Sequence, residues 1–301
     1  MKTLIIITGP TASGKTDLAV KLAQYYSTEI ISADSRQIFR EMRIGTAVPD
    51  DETLAKVTHH MVQTRSVKDY YNAFMYETEV IDLLEKNLFE RYDTVVMCGG
   101  SMMYVDAVCN GIDLIPDPDI EIRNNLWQQF EKEGIEPLRQ KLLLLDPDYY
   151  KICDLNNHKR IIKALEVSIQ TGKPYSTFRT GNKKERSFKI IKLGLNLPRE
   201  ILHQRINQRV DKMIGEGLVD EARRLYPLRS LNSLNTVGYR ELFDYFDNKT
   251  TLETAIELIK RNTRRYARKQ ISWFNGDKDL VWFMPESVDD IINYCNSKIL
   301  G

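Results

Sequence analysis

Apolar runs alternate with amphipathic segments in the first hundred residues of the chain. Runs rich in β-branched residues at 4–8, 29–32 and 94–98 predict short buried strands. Apolar residues recur at helical spacing over 17–26 and 71–89, which predicts helices between those strands. Strands that alternate with helices are typical of a parallel sheet with crossover helices, so we expect an α/β core.

The hydrophobic pattern becomes mainly helical after about residue 116. Residues 120–145 predict a helix interrupted at Gly134 and Pro137, and 157–171 predict an amphipathic helix that Gly172 ends. A strand predicted at 188–197 resumes the α/β pattern, and the remaining residues are predicted to be mostly helical. We therefore expect a helical insertion domain at 116–187 within a discontinuous core formed by 1–115 and 188–301.

The composition is that of an ordinary globular protein, since 42% of the 301 residues are hydrophobic and 28% are charged. The 43 basic and 42 acidic side chains exclude a uniformly basic surface, so any nucleic-acid site has to be local. The four cysteines form no CxxC pair, which favours reduced thiols, and the N-terminal apolar run is too short for a signal peptide. These features predict a cytoplasmic protein that makes no membrane contact.

A glycine-rich segment after the first predicted strand matches the phosphate-binding pattern GxxxxGK[ST] and opens the next predicted helix. Its backbone N–H groups and the helix N-terminus attract phosphate oxygens, Lys15 adds a positive charge, and the Thr16 hydroxyl can bind Mg²⁺. The pattern predicts a P-loop NTPase-like core with a phosphate or diphosphate site. The loop consists of Gly9, Pro10, Thr11, Ala12, Ser13, Gly14, Lys15 and Thr16.

The acid that nucleoside triphosphatases usually place at the end of a second buried strand is missing, because the strand at 94–98 runs into Gly99 and Gly100. Asp34 follows another predicted strand, and neighbouring parallel strands end at one crevice, so we expect Asp34 near the phosphate loop. It would act as a general base or as an indirect partner of Mg²⁺. A helix N-cap explains the same residue equally well.

Two basic features stand in the C-terminal third. Arg205 and Arg209 lie four residues apart on a predicted helix and could clamp a diphosphate, although a solvated face with surface ion pairs is the favoured alternative. A helix predicted at 252–274 carries cations at 261, 264, 265 and 268 beside an apolar stripe that includes Tyr266, which suits a nucleic-acid backbone. Trp273 could stack on a base, but a core position is favoured. His59 and His60 are expected in a turn rather than at a metal.

Six segments together resemble the bacterial tRNA dimethylallyltransferases, the tRNA isopentenyltransferase family. They are GPTASGKT at 9–16, IISADSRQ at 30–37, IGTA at 44–47, GGSMMY at 99–104, VGYR at 237–240 and KQISW at 269–273. The resemblance implies transfer of a dimethylallyl group from dimethylallyl diphosphate to N6 of adenine 37, beside the anticodon of tRNA, with Mg²⁺ as cofactor. Ser101 stands where the family usually has Thr, and Val48 replaces a frequent Lys.

The resemblance also implies roles for individual residues. Asp34 would accept the N6 proton, Ser101 would orient the acceptor or the diphosphate, and Arg209 would join Lys15 and Mg²⁺ at Thr16 in stabilising the leaving group, with Arg205 beside them. Contacts with the tRNA anticodon stem-loop are implied for a larger set. This set consists of Asp34, Ser35, Arg36, Gln37, Ser101, Arg123, Lys159, Arg160, Ile161, Ile162, Lys163, Asn235, Thr236, Val237, Gly238, Tyr239, Arg240 and residues 268–275, which include Arg268, Lys269, Gln270 and Trp273. The basic face of the predicted helix adds Arg264 and Arg265 to the expected tRNA contacts.

Three other functions fit part of the pattern. A small-molecule kinase would use Arg205 and Arg209 over ATP, and a nucleotide-gated RNA-binding protein would use the basic helix without catalysis. The missing acid at the end of the strand 94–98 argues against both functions. Prenylation of free adenine nucleotides would leave the basic helix without a purpose. A monomer is expected, because each chain carries one complete set of site residues.

Overall fold

The computed structural model describes residues 1–117, 119–181 and 183–300. The chain divides into two compact units. The first, which we call the core unit, comprises Met1–Cys109 and Glu185–Gly301, and the second, the helical unit, comprises Asn110–Lys184. The sequence places the corresponding boundaries at 116 and 187.

The core unit is built on a six-stranded sheet in the order β3-β2-β4-β1-β5-β6, with every neighbouring pair parallel. The strands are β1 (Thr3–Thr8), β2 (Ile30–Ser32), β3 (His59–His60), β4 (Thr94–Cys98), β5 (Lys189–Leu195) and β6 (Leu280–Phe283). The predicted α/β fold with a P-loop NTPase-like parallel sheet is thus confirmed. The predicted turn at His59 is wrong, because both histidines form an edge strand, and β6 lies in a region predicted to be mostly helical.

Helices connect and cover these strands. They are α1 (Lys15–Tyr25), α2 (Asp51–Lys56), α3 (Ala73–Leu83), α4 (Phe89–Arg91), α5 (Met102–Asn110), α6 (Ile120–Glu133), α7 (Glu136–Leu145), α8 (Pro147–Ile152), α9 (His158–Thr171), α10 (Arg199–Gly215), α11 (Leu218–Leu225), α12 (Tyr239–Phe246), α13 (Leu252–Phe274) and α14 (Val288–Leu300). A π-helical turn at Leu84–Leu88 joins α3 to α4 within the helix predicted at 71–89. Among the described residues, no helix has the length and apolar character needed to cross a bilayer.

The central strand β1 is buried on both faces, as its unbroken apolar run predicts. Leu4 and Ile6 belong to a cluster that includes side chains of α3, α5, α12 and α13, whereas Ile5 and Ile7 pack with those of α1 and α14. This division follows from the two-residue period of a strand. Helices therefore cover both faces of the sheet, and the carboxyl ends of β1, β2 and β4 meet at one edge.

The helical unit has an apolar core of its own, contributed by α6, α7, α8 and α9. Ile161 and Ile162 are 0% and 3% exposed within this core, so their predicted role as tRNA contacts is wrong for their side chains. The fully buried carboxylate of Glu166 accepts hydrogen bonds from Arg123 Nε at 2.5 Å and Lys163 Nζ at 3.1 Å. Both cations therefore already neutralise a carboxylate.

Candidate functional site

The phosphate loop connects β1 to α1 and lines a cavity of about 150 Å³ at the carboxyl edge of the sheet. Gly9 has a φ of 136°, and a Cβ at this position would collide with the backbone carbonyl of Leu195 on β5. Gly14 is the N-cap of α1, with a left-handed φ of 92°. Both glycines are therefore required by backbone geometry, and the N-terminus of α1 begins at the cavity that an anion would occupy.

Lys15 lies in this cavity, where its Nζ donates a hydrogen bond to the Pro10 carbonyl at 2.6 Å. Burial lowers the pKa of Lys15 to about 8, and the positive charge of Arg209 acts in the same direction. Cys98 and Asp34 oppose this shift. A bound phosphate would restore the ordinary pKa, because an anion favours the charged ammonium group.

The end of β4 supplies a thiol where a nucleoside triphosphatase would supply a carboxylate. Cys98 pairs in register with Ile7 on β1 and with Ser32 on β2, and it lines the smaller cavity. Burial raises the pKa of this thiol to about 12, so Cys98 is neutral. The carboxylates that line this cavity are those of Asp17 and Asp34.

Asp34 stands just after β2, as predicted, and faces the phosphate loop across the smaller cavity. Its Oδ1 accepts hydrogen bonds from the N–H groups of Arg36, at 2.9 Å, and Gln37, at 3.2 Å. The segment forms a turn and not a helix, so Asp34 Oδ1 accepts two backbone N–H groups as an N-cap residue would, but within a turn. Within the described part of the chain no group donates to Oδ2, which leaves this oxygen available to accept a proton.

Ser101 connects the loop after β4 to the loop after β2. Its Oγ accepts the Ser35 N–H at 2.7 Å, and its own N–H donates to the Ala33 carbonyl at 3.1 Å. Its carbonyl accepts the N–H groups of Tyr104 and Val105 in the first turn of α5. The hydroxyl of Ser101 therefore fixes the segment that carries Asp34.

A larger cavity of about 440 Å³ adjoins the phosphate site and has the size of a small-molecule pocket. Thr11, Asp34, Thr46, Ala47, Arg209 and Tyr266 line both cavities. One part of its lining is apolar and the rest is polar or basic. The apolar residues are Val210, Met213, Leu218, Val237 and Ile259, and the polar residues include Ser35, Arg36, Ser101, Asn235, Thr236, Arg240, Thr263 and Lys269.

Arg209 on α10 points into the site, since its Nη1 donates to Thr11 Oγ1 at 3.2 Å. Burial lowers its pKa, and the negative charges of Asp17 and Asp34 oppose that effect. The favoured interpretation of Arg209 as part of a solvated face is therefore wrong. Arg205 is half-buried, with Nη1 3.8 Å from the position that a Cβ on Gly14 would take.

The predicted basic helix is α13, and its cations fall into two groups. Lys260 pairs with Asp211 at 2.8 Å, and Arg264 donates to the Asn207 side chain at 2.6 Å. Arg261, Arg265, Arg268 and Lys269 are exposed, and Lys269 lines the larger cavity. Trp273 is 51% exposed, so the favoured core position is wrong and the ring is available for stacking.

Tyr266 on α13 is a site residue that the sequence did not reveal, and Gln270 on the same helix, which lies in the KQISW segment, makes contacts that the sequence did not predict. Tyr266 was predicted in the apolar stripe, but it is 37% exposed and lines both cavities. Burial of the hydroxyl and the nearby Asp34 raise the pKa of Tyr266 to about 12. Gln270 is 2% exposed and hydrogen-bonds to two separate loops of the site.

The segment 235–240 lines the larger cavity except at Tyr239, which is fully buried. The Tyr239 hydroxyl donates to Glu221 at 2.7 Å, and Glu221 also accepts the N–H groups of Arg43, Ile44 and Gly45. The predicted tRNA contact of the Tyr239 side chain is therefore wrong. Glu221 and Tyr239 instead anchor the loop that brings Thr46 and Ala47 to the site, and Gln37 donates to both of their carbonyls.

The parallel sheet, the phosphate loop and the adjoining partly apolar cavity place the chain among phosphate-loop proteins whose site has room for a second substrate, rather than among standard triphosphatases. Residues 37–277 match the family model described as IPP transferase. The chain is 53% identical over 295 residues to tRNA dimethylallyltransferase 2 of Azobacteroides pseudotrichonymphae, covering 98% of this chain and 96% of the relative. It is 52% identical over 295 residues to tRNA dimethylallyltransferase 1 of Phocaeicola vulgatus, covering 98% of both chains.

Solved structures give the same result. The tRNA isopentenylpyrophosphate transferase of Bacillus halodurans superposes with a TM-score of 0.73 at 33% identity, covering 99% of this chain and 97% of that one. A eukaryotic dimethylallyltransferase acting on tRNA gives a TM-score of 0.77 at 26% identity, covering 94% and 74%. The chain belongs to the tRNA dimethylallyltransferase family, and the resemblance inferred from the six sequence segments is confirmed.

Proposed function

We propose that this enzyme transfers the dimethylallyl group of dimethylallyl diphosphate to N6 of adenine 37 in tRNA and releases diphosphate. The observation that carries the proposal is the contact between two cavities of different character. The smaller is a phosphate cradle and the larger is partly apolar and bordered by exposed cations, and Asp34 and Arg209 line both. A donor diphosphate and an acceptor base would meet at these two residues.

The smaller cavity suits the leaving group. Lys15 and Arg209 would neutralise the diphosphate as the C–O bond breaks, with Arg205 close to the helix N-terminus at Gly14. The oxygen donors of Thr16, Asp17 and Asp34 line the same cavity and suit a hard cation. When bound, Mg²⁺ would supply further charge neutralisation, held by Thr16 together with phosphate oxygens.

The reaction needs one bond to form, one to break and one proton to move. The N6 lone pair attacks C1 of the dimethylallyl group, the bond from C1 to the diphosphate oxygen breaks, and the proton leaves N6 for Asp34. The two N–H groups that hold Oδ1 leave Oδ2 as the accepting atom. Such a positioned base contributes about 10²- to 10⁴-fold in rate.

An adenine stacked in an anticodon loop cannot reach Asp34, so the base would be flipped into the larger cavity. Arg265, Arg268 and Lys269 would bind the RNA backbone, and Trp273 would stack on a base. The implied contacts of the helical unit, at Arg123, Lys159, Arg160 and Lys163, stay predictions, as do a monomeric state and a location in the cytoplasm, where tRNA is matured.

The kinase alternative is disfavoured by a specific observation, because the neutral thiol of Cys98 stands at the end of β4, where a carboxylate would hold the metal of a γ-phosphate. Prenylation of a free nucleotide would not need the exposed cations of α13.

The test is to incubate the protein and Mg²⁺ with unmodified tRNA and dimethylallyl diphosphate, digest the RNA and measure the masses of the nucleosides by mass spectrometry. Parallel reactions contain ATP as the donor, adenosine monophosphate as the acceptor, or a transcript with guanine at position 37. We expect prenylated adenosine only from the diphosphate donor and the adenine 37 transcript. Consumption of ATP without prenylated adenosine, or prenylation of the free nucleotide at the same rate as tRNA, would contradict the proposal.

A further inference from the structure

The amide side chain of Gln270 joins two loops of the site that are far apart in sequence. Its Oε1 accepts the N–H of Thr11 in the phosphate loop at 2.9 Å, and its Nε2 donates to the carbonyl of Gly100 after β4 at 2.8 Å. The side chain is 2% exposed, and its hydrogen bond to Gly100 is buried, whereas that to Thr11 is partly buried at the edge of the cavity. A buried amide that uses its acceptor and its donor on two backbones fixes their separation.

Gly100 is shaped by this contact. A Cβ on Gly100 would collide with Nε2 of Gln270, and the φ of Gly100 lies outside the range that requires glycine. The small residue is therefore needed because the amide of Gln270 approaches so closely. The next residue is Ser101, whose Oγ holds the N–H of Ser35 beside Asp34.

Thr11 is held from two helices at once. Gln270 on α13 accepts its backbone N–H, while Arg209 on α10 donates to its hydroxyl. Loss of the Gln270 amide would leave the partly buried N–H of Thr11 and the buried carbonyl of Gly100 without these partners. It would also free the loop that positions Arg209 against the leaving group.

We propose that Gln270 is a positioning residue for the donor, which sets the phosphate loop at a fixed distance from the segment that carries Ser101 and Asp34. This proposal rests on the proposed dimethylallyl transfer for its kinetic consequences. Gln270 borders the smaller cavity, but its amide oxygen and nitrogen are already engaged by Thr11 and Gly100. Its removal should therefore act on donor binding and on turnover rather than on RNA affinity. Displacing reacting groups by about 1 Å can cost on the order of 10²-fold in rate.

The first experiment compares Gln270→Met, which keeps the side chain's length but removes both hydrogen bonds, with the wild-type protein. Inorganic diphosphate binding is measured by calorimetry without tRNA, and kcat and KM are measured for each substrate. We expect diphosphate affinity to fall about tenfold and kcat/KM for the donor to fall roughly 10- to 100-fold, with tRNA affinity within about twofold. Gln24→Met, on the exposed surface of α1, is the matched control and should change none of these values.

The second experiment is a double-mutant cycle between Gln270 and Gly100. Gly100→Ala should lower donor affinity strongly in the wild-type background, because the new methyl group displaces the amide. The same change should add little to Gln270→Ala, in which the colliding atom is absent. Additive losses, or equal losses for donor and tRNA, would overturn the positioning role.

The binding measurement also separates the two proposals. If no prenyl transfer occurs with any acceptor but Gln270→Met still weakens diphosphate binding, the proposed function fails and the positioning role stands. If prenyl transfer occurs and a folded Gln270→Met protein binds diphosphate normally, the positioning role fails and the function stands. Should Gln270→Met not fold, Gly100→Ala carries the same test.

Discussion

Raising the pH should weaken donor binding through the charge of Lys15. In the empty site burial lowers the pKa of Lys15 to about 8, and a bound diphosphate would raise it again. Because the ligand favours the protonated lysine, affinity is fully present below the pKa of the empty site and is lost as the pH rises through it. At about pH 9 roughly one site in ten still carries the charged lysine, so Kd should rise about tenfold, equivalent to about 1.4 kcal/mol.

The assay is calorimetric titration of the protein with dimethylallyl diphosphate, without tRNA, between about pH 7 and pH 9.5. The donor's phosphates lose their last proton near about pH 6, so the ligand keeps a constant charge above pH 8. Each pH is measured in two buffers that differ in ionisation enthalpy, which gives the number of protons taken up on binding. We expect this number to rise from about 0.1 at pH 7 to about 0.9 at pH 9.

Cys98 and Tyr266 keep their protons over this pH range, because burial raises the pKa of each to about 12. Lys15→Met should bind the donor weakly at every pH and should show a flat profile. A steep profile that survives in Lys15→Met, or a wild-type affinity that is constant up to about pH 9.5, would refute the assignment of the proton to Lys15.

The remaining predictions concern four other parts of the molecule. Asp34→Asn should keep tRNA affinity but lower single-turnover rates about 10²- to 10⁴-fold, and weak binding with normal chemistry would contradict its role as base. Replacing Arg265 and Arg268 by Ala should lower the salt slope of tRNA binding by roughly 0.7 to 0.9 for each lost phosphate contact, so an unchanged slope would place the RNA elsewhere. Burial raises the pKa of Glu29, but hydrogen bonds from Arg91, His60 and Tyr92 outweigh it and lower this pKa to about 2. Glu29→Gln should therefore destabilise the fold by about 2 kcal/mol at neutral pH, measured by urea titration. The difference in stability is present above about pH 4.5 and disappears as the pH falls towards 2. Tyr239→Phe should cost about 1 kcal/mol of stability and leave the salt slope of tRNA binding unaltered, because its hydroxyl is buried against a carboxylate.

The sequence predicted those parts of the fold whose cause is local. β1 and β4 are continuous apolar runs bounded by glycine, and the phosphate loop is a contiguous pattern with a backbone reason for each glycine. β3 has only two residues, too few to show a period, and β6 is a four-residue apolar run between the helices α13 and α14, where an apolar run fits a helix as well as a strand. The two missed strands pair at the outer edges of the sheet, where partners and not patterning decide their conformation.

The site contacts that the sequence did not predict join distant segments. Gln270 is separated by 259 residues from Thr11, whose N–H it accepts, and Glu221 by 176 from Gly45. Tyr266 fits the helical spacing of the stripe formed by Ile256 and Ile259, yet it faces a cavity. Helical spacing gives the direction of a side chain relative to its helix but does not say whether the space in that direction is filled.

The arrangement of α13 explains why one helix serves both substrates. Successive helical residues are rotated by about 100°, so Lys269 and Gln270 face different surroundings. Lys269 lines the cavity proposed for the acceptor, whereas Gln270 is buried against the phosphate loop. Tyr266 precedes Gln270 by one turn and lines both cavities. A rigid element of 23 residues therefore fixes the distance between the exposed cations and the phosphate cradle, which a flexible loop at either place would leave variable.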